Sequence, residues 1–374
     1  MDKIERINDA KPLPKGPLKG RGAVSNATGR FEPRTTEAVD DGWDGKGGWD
    51  EEEGAPPPLE TRLTEDASRT IIARNASPDI PFDRSVNPYR GCEHGCVYCF
   101  ARPSHAYLGL SPGLDFESWL FYKPRAAELL AEELRRPGYR CAPMGLGTNT
   151  DPYQPVERRF GITRAVLEVL RDFRHPVSIV TKGALIRRDI DLLAPMAEQR
   201  LAMAAVSVTT LDRKLARTLE PRAASPTLRL ETIRALSAAG IPVAVLAAPM
   251  IPGLNDHEME SILEAAAEAG ASGAGYVPLR LPHEIKTLFT EWLEAHAPGR
   301  AARVLSLIRE MRGGTLNDSR FGARMRGEGP YADLLRQRFD LARRRLGLDR
   351  RGIWALDTSL FRPPPLPGAQ MTLF

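Results

Sequence analysis

Short apolar runs alternate with amphipathic helical stretches from about Ile71 to His296, and this alternation most limits how the chain can fold. Runs rich in β-branched residues, such as Val177–Thr181, predict strands, whereas stretches such as Thr227–Ala239, closed by Gly240, predict helices. Strand–helix units repeated at this length form parallel sheets with crossover helices. The pattern therefore predicts an α/β fold, specifically a partial (β/α)6 barrel.

The predicted elements are spread evenly over this region. The predicted strands are Pro143–Leu146, Val177–Thr181, Leu201–Thr209, Val243–Ala248 and Gly273–Val277, with one more just before the first cysteine. The predicted helices are Thr163–Phe173, Ile190–Ala197, Thr227–Ala239, His257–Ala269 and His283–His296. We divide the chain into a largely disordered N-terminal segment (1–68), a core barrel (69–297), a basic helical extension (298–352) and a proline-rich tail (353–374).

Polar residues follow the predicted strands at the point where each strand ends. Examples are the turn Gly147–Asp151, Thr181–Lys182 and Ser207–Thr210. In parallel α/β barrels the ligand site lies at the carboxyl ends of the strands. We expect these groups to face one common mouth.

Three cysteines lie in the stretch Asn87–Phe100, called here the cysteine loop, at the spacing C-x3-C-x2-C. Thiolates of Cys92, Cys96 and Cys99 can hold three irons of a cubane cluster and leave the fourth iron open, because the only other cysteine is the distant Cys141. A zinc site with His94 as fourth ligand is an alternative, although His94 lies inside the same tight loop, which gives poor tetrahedral geometry. A redox relay is a second alternative.

The loop continues as C-x3-C-x-aromatic-C, with Tyr98 as the aromatic residue, and this pattern resembles the signature of the radical S-adenosylmethionine (SAM) superfamily. The resemblance implies a [4Fe–4S] cluster on the three cysteines and SAM bound at the open iron. It also implies that the reduced cluster cleaves SAM to methionine and a 5′-deoxyadenosyl radical, which removes hydrogen from a substrate.

From about Arg69 to Leu281 the chain most resembles the group related to spore photoproduct lyase. Residues of suitable type stand at the positions this family uses around SAM. The resemblance implies cofactor contacts from Lys182 and Ser207 (methionine carboxylate and ribose), Tyr98 (adenine), the turn containing Gly147, Thr148 and Asn149 (methionine amino group), and Met250 in the loop near the adenine. Ordinary strand-end capping remains the alternative for Lys182 and Ser207.

One position departs from that group. Photoproduct lyases carry a further cysteine as hydrogen donor, and the aligned residue here is Thr148, while Cys141 lies seven residues upstream. Thymine-dimer reversal is therefore not expected, and the sequence assigns no catalytic residue. Side chains that could face substrate, but that the sequence does not separate from packing and surface residues, are Tyr107, Asp115, Glu117, Tyr153 and Glu157.

Charge is uneven along the chain. The formal net charge is +4, but residues 297–351, called here the basic segment, carry 14 Lys/Arg against 6 Asp/Glu. This predicts an anionic partner such as DNA or another nucleic acid, with a solvated arginine face as the alternative. Within it, Arg320, Arg324 and Arg326 lie in a glycine-rich loop suited to phosphate contact.

The chain terminates in Gln370–Phe374, which resembles the pentapeptide that docks bacterial repair proteins on the sliding clamp. A tail folded back over the barrel is the alternative. No apolar signal region is visible, and the most apolar run, Ile241–Ile251, is too short to span a bilayer. We therefore expect a cytoplasmic protein with no membrane contact, served by an electron donor such as flavodoxin or ferredoxin.

These observations predict a radical SAM enzyme acting on nucleic acid, either a DNA-lesion lyase or a repair-associated enzyme. Two alternatives stay open. One keeps the radical chemistry with an RNA, protein or small-molecule substrate. The other is an iron–sulfur adaptor that binds DNA or the clamp without turnover.

Overall fold

The computed structural model describes residues 17–32, 60–349 and 355–365. Its strands are β1 (Arg62–Glu65), β2 (Ile72–Arg74), β3 (Arg84–Val86), β4 (Tyr89–Arg90), β5 (Trp119–Tyr122), β6 (Met144–Leu146), β7 (Val177–Thr181), β8 (Ala202–Ser207), β9 (Val243–Met250) and β10 (Gly273–Pro278). Its α-helices are α1 (Asp115–Ser118), α2 (Ala126–Leu134), α3 (Glu157–Phe160), α4 (Ile162–Asp172), α5 (Ile190–Glu198), α6 (Arg213–Leu219), α7 (Pro226–Ala238), α8 (Met259–Glu268), α9 (Ile285–His296), α10 (Pro298–Met311), α11 (Ala323–Arg326) and α12 (Pro330–Arg345). Short 3₁₀ helices cover Arg102–Leu108, Ala184–Asp189 and Asp256–Glu258.

The main sheet has the strand order β10-β9-β8-β7-β6-β3-β2. The six strands from β3 to β10 in this order are parallel, and β2 pairs antiparallel with β3 at one edge. Every residue of the central strand β8 is buried, as expected for a parallel strand covered on both faces. The predicted α/β fold with six parallel strands is confirmed.

The helices form where the sequence carries both an apolar face and end signals. In α7, Ser225 caps the amino end by accepting a hydrogen bond from the Leu228 N–H (3.3 Å), and Pro226 occupies the first turn. Gly240 then adopts a φ of +77° just after the helix. These local signals explain why the observed bounds agree closely with those read from the sequence.

A second sheet, of order β1-β5-β4, was not predicted. Its strands have two to four residues, too few for a clear alternation of apolar and polar positions. Tyr122 in β5 stacks on Phe160 with 4.2 Å between ring centroids. Because β4 lies at the start of the cysteine loop, just before Cys92, this sheet fixes the chain where the loop begins.

Residues 17–32 lie against the protein core, whereas composition predicts disorder for the whole of 1–68. Ala23 is buried in a small cluster with Leu114 and Leu288. Arg21 is also buried, and its Nη1 donates a 2.7 Å hydrogen bond to the Glu117 carbonyl. The glycine-rich acidic stretch between residues 33 and 59 lies outside the described residues.

The basic helical extension is packed onto the barrel. α9, α10 and the cysteine loop share one hydrophobic cluster that includes Cys96, Tyr98, Trp292 and Val304. In the tail, the Arg362 N–H donates to the Phe173 carbonyl at 3.0 Å, which places residues 355–362 near the amino ends of the strands. The clamp-like peptide lies outside the described residues. No helix of the described ranges has the length and apolarity needed to cross a bilayer.

Candidate active site

A cavity of about 250 Å³ opens at the carboxyl ends of the parallel strands, and we call it the strand-end cavity. The cysteine loop forms one wall, and the ends of β6 to β10 form the others. Its lining residues are Cys92, His94, Cys96, Tyr98, Cys99, Phe100, Gly147, Asn149, Thr150, Asp151, Val180, Thr181, Lys182, Ser207, Leu246, Ala248, Pro249, Val277, Pro278, Leu279, Arg280 and Met325.

All three cysteines of the loop reach this cavity as free thiols. Burial raises the pKa of the Cys92 thiol, and the neighbouring Asp151, Cys96 and Cys99 raise it further. Such thiols become thiolates only with a compensating cation, which an iron–sulfur cluster supplies. The donor set therefore fits a cluster on Cys92, Cys96 and Cys99.

A single metal ion fits this donor set less well. Within the described ranges, no three His, Cys, Asp or Glu side chains stand close enough to hold one ion. Thiolates that each bind a different iron of a cluster stand further apart than the ligands of a single zinc. His94 also turns to Asp151, whose Oδ2 lies 3.3 Å from its Nδ1.

Arg102 anchors the backbone of the cysteine loop through hydrogen bonds from its guanidinium. Its guanidinium donates to the carbonyls of Cys96 (2.8 Å) and Gly95 (3.1 Å), and it pairs with the Glu117 carboxylate at 2.5 Å. Neither side chain of this pair is exposed to solvent. A buried charge network of this kind fixes the loop geometry with several bonds from a single planar group.

The N-terminal segment reinforces the same loop. The backbone N–H groups of Gly22 and Ala23 donate to the Glu117 carboxylate at 2.9 and 2.7 Å. A Cβ added at Gly22 would lie 1.8 Å from the Gly95 carbonyl oxygen, so only glycine permits this approach. Residues 17–32 are thus part of the structure that positions the cysteines.

Lys182 and Tyr98 both lie beside the buried carboxylate of Glu220, a residue that was not predicted from the sequence. Glu220 accepts hydrogen bonds from the Tyr98 hydroxyl and from Thr209 Oγ1 (2.6 Å), and it pairs with Arg229. Its Oε1 also lies 3.9 Å from Lys182 Nζ. Burial alone would raise the pKa of the Glu220 carboxyl, but Arg229 and Lys182 outweigh it and hold that pKa at about 2.

Asp151 joins the turn after β6 to the end of β7. It accepts hydrogen bonds from Thr181 Oγ1 (2.6 Å) and the Lys182 N–H (2.7 Å). Burial raises its pKa, but His94 and these hydrogen bonds more than reverse the effect and lower it to about 2. Gly147 has a φ of +82°, and an added Cβ would lie 1.9 Å from the Val180 carbonyl oxygen. The turn therefore packs directly on β7.

The structure brings together most, but not all, of the cofactor-binding residues predicted from the sequence. Tyr98, Gly147, Asn149, Lys182 and Ser207 line the strand-end cavity. Thr148, between two lining residues, does not line it.

Met250 does not line the strand-end cavity either, since it is fully buried in the hydrophobic core. Ala248 and Pro249 present that strand end instead. Asn255 supports them by donating hydrogen bonds to the carbonyls of Thr209 (2.7 Å) and Pro249 (3.0 Å).

Comparison with known proteins identifies the family to which the chain belongs. The Radical SAM superfamily model matches residues 86–266, which include the cysteine loop and the strands from β6 to β9. An uncharacterized protein of Mycobacterium tuberculosis is 39% identical over 276 residues, which cover 73% of this chain and 77% of that protein. The chain belongs to the radical SAM superfamily. An uncharacterized protein of Methanocaldococcus jannaschii is 27% identical over 173 residues, covering 46% of this chain and 62% of that protein.

The fold of this radical SAM protein is similar to that of spore photoproduct lyase. A structure of that enzyme complexed with dinucleoside spore photoproduct has a TM-score of 0.54 and 14% sequence identity, and covers 76% of this chain and 79% of the other. The superfamily uses a [4Fe–4S] cluster and SAM, which agrees with the thiol set described above. Membership supports an enzyme with radical chemistry.

Several side chains that were possible substrate contacts from the sequence lie away from the strand-end cavity. Glu117 holds the cysteine loop, and Glu157 pairs with Arg188 at 2.8 Å. Tyr107 is 73% exposed and packs against Phe31 with the two ring planes tilted by 31°. Neither Tyr153 nor Asp115 lines the cavity. In contrast, Glu220, Arg229 and Arg102 gave no sequence signal, since isolated charged residues are ordinary on helices and turns.

Proposed function

We propose that this protein is a radical SAM enzyme that acts on nucleic acid. One observation carries the proposal. The cavity at the strand ends is lined by three cysteines together with Lys182 and Ser207; the cysteines are Cys92, Cys96 and Cys99. When bound and reduced, the cluster supplies the electron that cleaves SAM. The remaining roles belong to side chains of the chain itself.

Lys182 is the proposed partner of the methionine carboxylate. Its ammonium lies 3.9 Å from Glu220 and 5.8 Å from the centre of the Tyr98 ring, so it is held at the cavity wall. A lysine suits a carboxylate as a point charge. The polar groups of Asn149 and Ser207 are proposed to orient the amino and ribose groups of the same ligand.

A nucleic-acid substrate is supported by charge and by fold. The basic segment packs beside the strand-end cavity, since Met325 within it lines that cavity. A protein of similar fold has been solved with a dinucleoside photoproduct. RNA, protein and small-molecule substrates are the alternatives to be separated by experiment.

The proposal does not extend to thymine-dimer reversal. Thr148 stands where photoproduct lyases have their donor cysteine. Cys141 precedes β6 and is six residues from Gly147, about 20 Å of extended chain from the cavity end of that strand. Burial raises the pKa of the Cys141 thiol to about 11, as expected for a structural thiol.

Two partners are also proposed from the sequence. A flavodoxin or ferredoxin would reduce the cluster. The sliding clamp would bind Gln370–Phe374, which follows a proline-rich linker. Both fit a cytoplasmic repair-associated enzyme.

Anaerobic reconstitution with iron and sulfide tests the function. We expect the reduced protein to form 5′-deoxyadenosine from SAM, Cys96→Ala to form none above background, and Cys141→Ala to match the parent chain. Equal yields from the parent and Cys96→Ala would favour the adaptor without turnover. If cleavage occurs, deuterium transfer from labelled oligonucleotides, peptides or metabolites into 5′-deoxyadenosine identifies the substrate class.

A further inference from the structure

The rim of the strand-end cavity carries a cation, Arg280, that forms no ion pair with a carboxylate of the described residues. Arg280 follows β10 and lines the cavity. Its Nη1 donates to the Met325 sulfur at 3.3 Å, which is a weak acceptor, and its Nε is buried with no partner in the described ranges. Over those same ranges, no carboxylate oxygen forms an ion pair with it. The Asp79 carboxylate acts on this guanidinium only at longer range, because it is itself paired with Arg324. A half-buried guanidinium without an ion pair of its own is costly, so this position favours an anionic ligand.

Nearby arginines are already satisfied and set the position of Arg280. Arg312 donates to the carbonyls of Pro278 (3.2 Å) and Leu279 (2.9 Å), which fixes the backbone just before Arg280. Arg324 pairs with Asp79 and donates to Ser77 Oγ at 2.5 Å.

Arg320, like Arg324, already has its carboxylate partners, since it pairs with Asp318 at 2.6 Å and Glu328 at 3.0 Å. The prediction that Arg320, Arg324 and Arg326 contact phosphate stays a prediction. Arg320 and Arg324 are engaged by carboxylates, whereas Arg280, at the end of β10, lines the strand-end cavity without an ion pair to the described residues.

An exposed aromatic ring accompanies this cation. Phe100 directly follows Cys99, lines the cavity and is 53% exposed. The Arg280 guanidinium lies 5.9 Å from its ring centre. A single exposed ring needs no explanation, but a ring beside a guanidinium that lacks an ion pair, at a cavity rim, matches the chemistry of a nucleotide. The base offers a flat face for stacking, and the phosphate offers the anion.

We propose that Phe100 and Arg280 form a nucleotide subsite, in which a base stacks on the Phe100 ring and the adjoining phosphate pairs with Arg280. The subsite rests on the proposed nucleic-acid function and narrows it to an unpaired nucleotide within a strand. A base inside a duplex has both faces covered by its neighbours, so it cannot lie on Phe100 without unstacking. A free nucleoside lacks the phosphate.

Binding of a fluorescein-labelled 12-nucleotide single-stranded DNA by the full-length, cluster-loaded protein tests the subsite. Fluorescence anisotropy gives the affinity, and a salt series gives its salt dependence. We expect Arg280→Gln to weaken binding about tenfold and to lower the slope of log affinity against log salt by about 0.7. We expect Phe100→Ala to weaken binding by roughly 5- to 150-fold. A duplex of the same sequence is expected to bind more weakly than the single strand.

Arg234→Gln, an exposed arginine on α7, and Tyr107→Ala, a 73% exposed ring away from the strand-end cavity, are the matched controls and are expected to bind as the parent chain. Equal binding by the parent, Arg280→Gln and Phe100→Ala would overturn the subsite and leave the nucleic-acid function standing. No oligonucleotide binding by the parent, with SAM cleavage intact, would overturn both. Weaker SAM binding by Arg280→Gln with unchanged DNA binding would assign Arg280 to the cofactor and overturn the subsite.

Discussion

Arg102 Nη2 lies 2.5 Å from Glu117 Oε1 in an ion pair from which solvent is fully excluded. Arg102 uses its other donors on backbone carbonyls, including those of Gly95 and Cys96 in the cysteine loop. Glu117 in turn accepts the N–H groups of Gly22 and Ala23. One buried pair therefore connects three separate parts of the chain around the thiols.

Replacing Arg102 with methionine is expected to destabilise the fold. The change leaves the Glu117 charge buried without its cation, which typically costs about 3–5 kcal/mol. It also frees the cysteine loop, so iron content after reconstitution should fall. Denaturant unfolding and iron analysis measure the two effects. Arg125→Met, which breaks the exposed pair with Glu128, is the control and should match the parent; equal stability of Arg102→Met and this control would contradict the role of the pair.

Gly22→Ala is expected to lift the N-terminal segment from the cysteine loop. The added Cβ would meet backbone atoms of Gly95 and Val97, which cannot turn away as a side chain can. We expect a loss of about 1–3 kcal/mol in unfolding free energy, typical of overpacking. Hydrogen exchange of residues 17–32 should rise. Gly299→Ala, where an added Cβ meets no atom within 4 Å, should leave exchange unchanged. Protection of residues 17–32 equal to the parent in Gly22→Ala would show that this close approach is not required.

Lys182→Met tests the proposed carboxylate contact. A hydrogen bond to a charged group contributes about 1.5–3 kcal/mol, so SAM affinity should fall by roughly ten- to a hundredfold. Anaerobic titration calorimetry of the cluster-loaded protein gives the constant. Lys214→Met, an exposed lysine on α6, is the matched control. SAM binding by Lys182→Met as tight as by this control would reject the contact.

Local signals explain how much the sequence predicted. The strands β6 to β10 and their crossover helices carry apolar periodicity, caps and closing glycines, so their bounds follow from neighbouring residues. The three cysteines lie within one short loop, so their joint action also follows from local spacing. Lys182 and Ser207 were singled out because each lies close to the carboxyl end of a predicted parallel strand, and both line the strand-end cavity.

Long-range pairing explains what the sequence missed. Glu220 and Arg229 pair across a turn, but the Tyr98 hydroxyl that donates to Glu220 is more than a hundred residues earlier. The segment 17–32 has a polar, glycine-containing composition typical of disorder, and the contacts that tie it to the core, such as those with Glu117, Asp115 and Glu291, join residues far apart in the sequence. Met250 was predicted to lie beside the cofactor, but its side chain packs into the core. Side chains alternate between the two faces of a strand, and at the end of a strand the sequence pattern no longer shows which face a residue takes.

Two buried histidines should make stability fall in mild acid. Burial lowers the pKa of His175 to about 4, with nearby Arg84 acting in the same direction, and burial likewise lowers that of His105 to about 4. The unfolded value is about 6.5, so the unfolded chain binds more protons between the two values. The contribution of these neutral histidines to the free energy of unfolding is therefore fully present above about pH 6.5. It is lost as pH falls towards 4, by on the order of 2 kcal/mol per histidine at pH 5.

His175→Gln should remove about half of this loss. His175 accepts or donates a 2.8 Å hydrogen bond with the Tyr139 hydroxyl, which glutamine can partly keep. Urea unfolding at pH 7 and pH 5 gives the difference. His257→Gln, at an exposed position, should retain the full loss. An unchanged difference in His175→Gln would mean that His175 does not titrate on unfolding.

Deleting Gln370–Phe374 should abolish clamp binding without affecting SAM cleavage. The tail is held at Arg362 by the Phe173 carbonyl, near the amino ends of the strands, whereas the strand-end cavity opens at the opposite ends. Surface plasmon resonance on immobilised clamp compares the full and shortened chains, with 5′-deoxyadenosine formation measured in parallel. Phe374→Ala, with Thr372→Ala as its matched control, separates the apolar anchor from tail length. Clamp binding that survives the deletion, or is absent from the full chain, rejects the peptide as a clamp ligand, because its apolar end would then contribute nothing to the contact.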